Sequence, residues 1–79
     1  MDNTIQRKIK FRDTDNAVDF VRKVQEYGFD VDLITGNITI DAKSLLGVLS
    51  LNLAKPIQVK VHDSDVEFLS FLDEYTYTE

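Results

Sequence analysis

Asp41-Ala42-Lys43-Ser44-Leu45-Leu46-Gly47-Val48-Leu49-Ser50-Leu51 is the stretch of this chain that decides its fold. Stepped at about 100° per residue, as on a helix, Leu45, Leu46, Val48, Leu49, Leu51 and Leu53 cover most of the circumference. Only Gly47, Ser50 and Asn52 interrupt them. A short surface helix buries one stripe, not its whole girth. The spacing therefore predicts a helix from Ser44 to about Leu53 in which some leucines face water, the usual mark of a partner or dimer surface. Val48 and Leu51, together on one side of the wheel, are the expected core contacts. Ser44 stands at the helix start, where its hydroxyl can accept a bond from an unpaired backbone N–H. A phosphoryl group there would meet the same N–H groups and the positive end of the helix dipole.

Lys55-Pro56 breaks this helix on its C-terminal side. Ile57, Val59 and Val61 then alternate with Gln58, Lys60 and His62, a strand that leaves His62 facing solvent. Ser64-Asp65-Val66-Glu67 reads as a capping box that opens a last helix, with Phe68, Leu69, Leu72 and Tyr75 turned inward. The tail after Tyr75 is expected to fray. On the N-terminal side, Ile38, Ile40 and Ala42 form a strand joined through the turn pair Gly36-Asn37 to another at Phe29, Val31 and Leu33. Before these, Ala17, Phe20, Val21, Val24 and Tyr27 recur at helical spacing, with Asp13, Thr14 and Asp15 as caps. Asp19–Lys23 and Arg22–Glu26 fall at i,i+4 on that helix, and Gly28 is its stop. Ile5 to Phe11 alternates with one imperfect apolar face, a first strand. The order is β-α-β-β-α-β-α, an α+β domain. One-face alternation implies an antiparallel sheet with helices on one side and water on the other. A ferredoxin-like split βαβ and an open-faced β-sandwich share this order at its start, and periodicity alone does not separate them.

Seventy-nine residues make one domain, 1–79, with a folding free energy of roughly 4–12 kcal/mol at typical per-residue values. A hydrophobic content of 43% is that of a globular protein. There is no cysteine, hence no disulfide and no thiolate metal site. Fourteen acidic against nine basic residues argue against nucleic acid and anionic membrane as partners. The local exception, Arg7, Lys8, Lys10 and Arg12, alternates along a strand with no interleaved aromatic platform. Nothing resembles a signal peptide or membrane span, so a cytoplasmic protein is expected. No nucleophile–base pair, glycine-rich phosphate loop or metal cluster appears. Asp63, Asp65, Asp73 and Glu74 read as caps and solvated surface, so neither enzyme activity nor a cofactor is expected.

The order Lys43, Ser44, two bulky apolar residues, Gly47, Val48, an apolar residue, Ser50, Leu51 resembles the regulatory-serine motif of the HPr family, the histidine-containing phosphocarriers of the bacterial sugar phosphotransferase system. The likeness runs without gaps from Phe11 to the last helix. It implies an HPr-like open-faced β-sandwich: a four-stranded antiparallel sheet in order 1-4-2-3 with three helices on one face. It further implies that Ser44 is phosphorylated by a serine kinase of the HPr kinase/phosphorylase type. Leu45, Leu46 and Leu49 would then form a docking patch for that kinase and for a catabolite-control transcription factor. Apart from these partners the chain is expected to be a monomer or weak homodimer.

The family's phosphocarrier motif, Gly-Leu-His-Ala-Arg-Pro-Ala in type, is not kept. Its positions read Phe11-Arg12-Asp13-Thr14-Asp15-Asn16-Ala17, with Asp13 at the histidine and Asp15 at the arginine. A carrier needs a neutral imidazole nucleophile and positive charge around the transferred phosphoryl. Two carboxylates supply neither. The expectation is a regulatory relative with Ser44 retained and no phosphohistidine activity, in carbon catabolite control. The alternative is an interaction or dimerisation domain that uses the apolar helix 45–53 without phosphorylation. The arginine matched by Asp15 helps the family's transcription factor recognise the phosphorylated serine, so that complex is expected to be weakened.

Overall fold

A computed structural model describes residues 4–63 and 65–77. The elements run β1 (Ile5–Ile9), α1 (Thr14–Val24), β2 (Val31–Thr35), β3 (Ile38–Asp41), α2 (Leu45–Leu49), β4 (Ile57–Val61) and α3 (Val66–Asp73). All strand pairs are antiparallel and the sheet order is β1-β4-β2-β3. This is the 1-4-2-3 order of the open-faced sandwich; a ferredoxin-like sheet would have set β1 beside β3.

Register puts Ile5, Arg7 and Ile9 on the sheet face of Ile57, Val59 and Val61, and of Val31 and Leu33. Arg7 is the imperfection in that face and stays exposed at the sheet edge. Buried Ile9, Val31, Leu33, Ile57, Val59 and Val61 meet Phe20, Val21 and Val24 of α1, Val48 of α2, and Phe68 and Leu72 of α3 in one core. Gln6, Lys8, Gln58 and Lys60 take the opposite, open face. Among the described residues no polar or charged residue is buried.

The turn between β2 and β3 is the two-residue Gly36-Asn37, closed by Thr35 and Ile38. Among the described residues only Gly36 has positive φ, at 60°. Glycine is thus needed at the first turn position, as in a type II′ hairpin, and Asn37 does not use its tolerance of positive φ.

Several local expectations are corrected. Helix α1 ends at Val24 with Gln25 as its C-cap, before Gly28 is reached. Lys23 reaches Glu26 at 3.5 Å in place of the two expected i,i+4 pairs, and this exposed contact adds little to stability. The N-cap of α3 is Asp65, whose Oδ1 accepts the Phe68 N–H at 2.8 Å. That shifts the expected capping box by one residue; Ser64 itself lies outside the described residues.

The tail does not fray where it is described. The backbone groups of Lys8 and Lys10 point away from β4, and the chain after α3 takes them up. Tyr77 N–H donates to Lys8 O at 2.8 Å, Lys10 N–H donates to Tyr75 O at 3.1 Å, and Thr76 bridges Ile9. The Lys10 ammonium lies over the Tyr77 ring, 5.7 Å from its centroid. An open sheet edge is a template for any nearby extended chain, and Thr-Tyr sequences suit it.

Tyr27 and Tyr75 are held protonated above the ordinary tyrosine value. Desolvation is the larger cause for Tyr27, followed by its hydrogen bond to Glu67, at 3.0 Å; desolvation and then Asp19 act on Tyr75. A pKa raised by folding contributes stability that is complete below the unfolded value, about 10, and is lost as pH rises through the folded value. Denaturant titrations should show stability falling above pH about 10, and Tyr27→Phe should flatten that fall. A pH-independent midpoint across this range would contradict it.

Candidate functional site

Two helix starts carry the residues singled out by sequence. At the first, Asp13 is extended (φ −164°, ψ −178°) and caps α1, its Oδ1 accepting the Asn16 N–H at 2.8 Å. Asn16 reciprocates, its Oδ1 accepting the Arg12 N–H at 3.0 Å. Asp15 lies in the first turn, where a carboxylate suits the helix dipole. A shallow cleft of about 330 Å³ opens beside them, lined by Lys10, Phe11, Arg12, Asp13, Thr14, Leu53 and Ala54. The cleft offers no imidazole. His62 follows Val61, which pairs with the first residue of β1, whereas Asp13 lies beyond the last residue of that strand. The histidine therefore sits at the other end of the sheet. Its residue is exposed, as expected, and its Nε2 lies 2.9 Å from Asp32 Oδ2 on the open face, a pairing sequence did not suggest.

At the second start, Ser44 is the N-cap of α2, extended at φ −93° and ψ 102°, with Oγ accepting the Gly47 N–H at 3.3 Å. Ser44 is exposed. The approach to it is fixed from three sides. Lys43 Nζ donates to Tyr27 O at 2.7 Å, Gln25 Nε2 donates to Lys43 O at 2.9 Å, and Lys43 N–H donates to Asp41 Oδ1 at 2.9 Å. These bonds hold Ser44 near the C-terminal end of α1. Asp13 is at the other end, about 16 Å away along an eleven-residue helix. The two candidate positions are separate.

Helix α2 is shorter than its apolar run, ending at Leu49 rather than near Leu53. Ser50 ends it: the Ser50 hydroxyl donates to Gly47 O at 2.6 Å, taking a carbonyl at the close of the helix. Asn52 Oδ1 then accepts the Ala54 N–H at 3.1 Å in a turn. Leu51 and Leu53 reach the core from turns, half-buried, so a helical wheel does not describe them. Val48 is fully buried, as expected. Leu45 and Leu49 are half-buried against the core because α2 packs on both α1 and β3. Leu46 alone of the three proposed patch residues is open, at 83% exposure. Gly47 permits the close approach: a Cβ there would lie 2.9 Å from Ile40 Cγ2.

Capping by Ser44 is worth about 1 kcal/mol, so Ser44→Ala should lower stability by that amount while Ser44→Asp stays near wild type. Chemical denaturation reads both. A loss of several kcal/mol in the aspartate variant would show that the position does not tolerate charge.

No protein-family model matches the chain, and no curated protein matches it by sequence. Solved structures do match. The phosphocarrier protein HPr from Bacillus anthracis str. Ames superposes with a TM-score of 0.75 at 23% identity, covering 94% of this chain and 98% of that one. HPr-C-His from Thermoanaerobacter tengcongensis superposes with a TM-score of 0.69 at 20% identity, covering 90% of each. At such identities the likeness is one of fold: four antiparallel strands in order 1-4-2-3 with three helices.

Proposed function

We propose that this chain, built on the HPr fold, is a regulatory member of the phosphocarrier family that is switched at Ser44 and carries no phosphoryl group on histidine. The observation behind it is Ser44 itself, an exposed hydroxyl capping α2 within the sequence Lys43 to Leu51. A kinase of the HPr kinase/phosphorylase type would transfer the γ-phosphoryl of ATP to Ser44 Oγ, releasing ADP and the hydroxyl proton. The added charge would sit beside the Gly47 N–H that the hydroxyl now meets. At five residues α2 is little more than one turn, so the support is this local donor rather than a long helix's field.

The partner surface in this proposal centres on Leu46, with the accessible parts of Leu45 and Leu49 around it. A kinase and a regulatory protein, such as a catabolite-control transcription factor, are the partners, in the cytoplasm. Asp15, in place of the family's arginine, would weaken the last of these complexes. The deciding experiment incubates the protein with ATP and an HPr kinase and locates phosphate by mass spectrometry. Phosphate on Ser44, and none on Ser44→Ala, is expected; an unmodified chain beside a phosphorylated HPr control would overturn the proposal.

Exposed Leu46 also suits an interaction domain that needs no phosphorylation. Leu46→Glu should leave stability within about 0.5 kcal/mol of wild type, since the side chain is mostly in water, yet weaken partner binding. Leu49→Glu, at a half-buried position, should destabilise measurably. Unfolding of the Leu46 variant would mean that this residue is core.

A further inference from the structure

The two edges of the sheet are treated differently. On β1, Lys8 O and Lys10 N–H are taken by the chain after α3, and Gln6 O accepts Arg7 NH1 at 2.9 Å. Arg7, Lys8 and Lys10 add like charge along that edge, which discourages a second strand. On β3 the bookkeeping comes out otherwise. Ala42 N–H donates to Val31 O at 2.8 Å, which fixes the alternation of the β2–β3 ladder. Ile38 and Ile40 turn their backbone groups toward β2, and Thr39 turns its N–H and C=O outward. Asp41 O is used by Ser44 N–H at 2.9 Å, while Asp41 N–H points outward with Thr39. No proline, lysine or bulge protects this edge, and Ile38 on it is 49% exposed.

We infer that the β3 edge is a self-association surface, on which a second copy of this chain pairs antiparallel about Thr39 to continue the sheet across a two-fold axis. The occupant follows from self-complementarity. With Thr39 opposite its own copy, Thr39 N–H and C=O exchange hydrogen bonds with their counterparts, a favourable Thr–Thr pair. Ile38 falls opposite the partner's Ile40, and Ile40 opposite the partner's Ile38, giving four β-branched side chains on the helix-covered face. Asp41 falls opposite the partner's Asn37, so its N–H meets a carbonyl and no like charges are opposed. The same operation on β1, about the outward-facing Lys8, would set Lys8 against its own copy, a pair of like charges. Because Ile40 touches α2 at Gly47, the two α2 helices would flank the axis in one layer. The inference does not rest on Ser44 being modified. Only four residues of β3 take part, so the dimer forms at high protein concentration.

Sedimentation equilibrium should show the mass rising from one chain, 9.1 kDa, toward twice that value as concentration approaches millimolar. Over the same range hydrogen exchange of the Thr39 amide should slow, while the Gln6 amide on the other edge is unchanged. In a mixed-label NMR sample, a contact between Ile38 Hα of one chain and Ile40 Hα of another is expected, since these lie far apart within one strand. Ile38→Lys should return the mass to one chain with the circular dichroism spectrum retained. Thr39→Pro should do the same by deleting the outward N–H; if the proline variant unfolds, the lysine variant carries the test alone. A chain that stays monomeric at millimolar concentration overturns the inference, as does a dimer with unchanged Thr39 exchange. So does a dimer lost with Leu46→Glu but kept with Ile38→Lys, which would place the interface on α2.

Discussion

Replacing Phe68 by alanine should lower the folding free energy by about 3–5 kcal/mol, a large part of the roughly 4–12 kcal/mol expected for a chain of this length. Phe68 is fully buried on the inner face of α3. Its ring stands edge-on to Tyr27 and Phe29, with centroids at 4.9 and 5.2 Å, and tilted against Phe71 at 5.6 Å. Phe71 stacks on Phe20 at 5.7 Å and meets Tyr75 at 5.1 Å, and Phe20 meets Phe11 at 5.2 Å. All five phenylalanines and two of the three tyrosines therefore form one ring network joining the end of β1, α1, the approach to β2, and α3. Removing Phe68 opens a cavity at its middle and strips partners from three rings at once. Thermal denaturation by circular dichroism is the measurement. A variant as stable as wild type would show that the network closes over the gap. Phe29→Ala, at the half-buried margin, should cost less.

No labelled phosphoryl group should pass from phosphoenolpyruvate through enzyme I to this protein, under conditions that label an HPr control fully. On the proposed family reading, the position that would need a nucleophilic imidazole is Asp13, and its carboxylate caps the Asn16 N–H. A phosphoryl group entering there would meet Asp15 one turn or less away, and a like charge repels it before any bond forms. Asp13→His with Asp15→Arg should restore only partial labelling. Histidine is a poorer cap than aspartate, and Phe11, Arg12 and Asn16 also depart from the carrier motif. Stable labelling of the natural chain would defeat this prediction outright.

The sheet was legible in the sequence because its strands are half-buried, and half-burial writes a two-residue period into Val31-Leu33 and Ile57-Val59-Val61. Helix α1 was legible for the matching reason at helical period. The apolar run of α2 misled because a short helix packed on two neighbours buries leucines by position in space, not by wheel angle. Its early stop depended on a hydroxyl, Ser50, reaching back to a carbonyl three residues earlier. The pairing of Tyr75–Tyr77 with β1 was hidden for a different reason. Its partner lies almost the whole chain away, and the tail read only as a fraying end. Of the candidate site, the cap at Ser44 was readable from its place before an apolar run. Its anchoring through Lys43 to Tyr27 O was not, because a long flexible side chain carries no periodic signal.

The clasp between the tail and β1 also sets how the protein would respond to mechanical force. Tyr77 runs antiparallel to Lys8, so Tyr77 lies toward the same end of the sheet as the start of β1. Beneath them Ile5 pairs with Val61, which places the start of β1 beside the end of β4. A pull applied at Ile5 and Tyr77 would load both pairings at one extremity, with the force along the hydrogen bonds rather than across a whole ladder at once. The bonds would break in succession, as in a zip. Despite its buried core, the protein would then yield to such a pull at low force, starting from the edge that the tail closes.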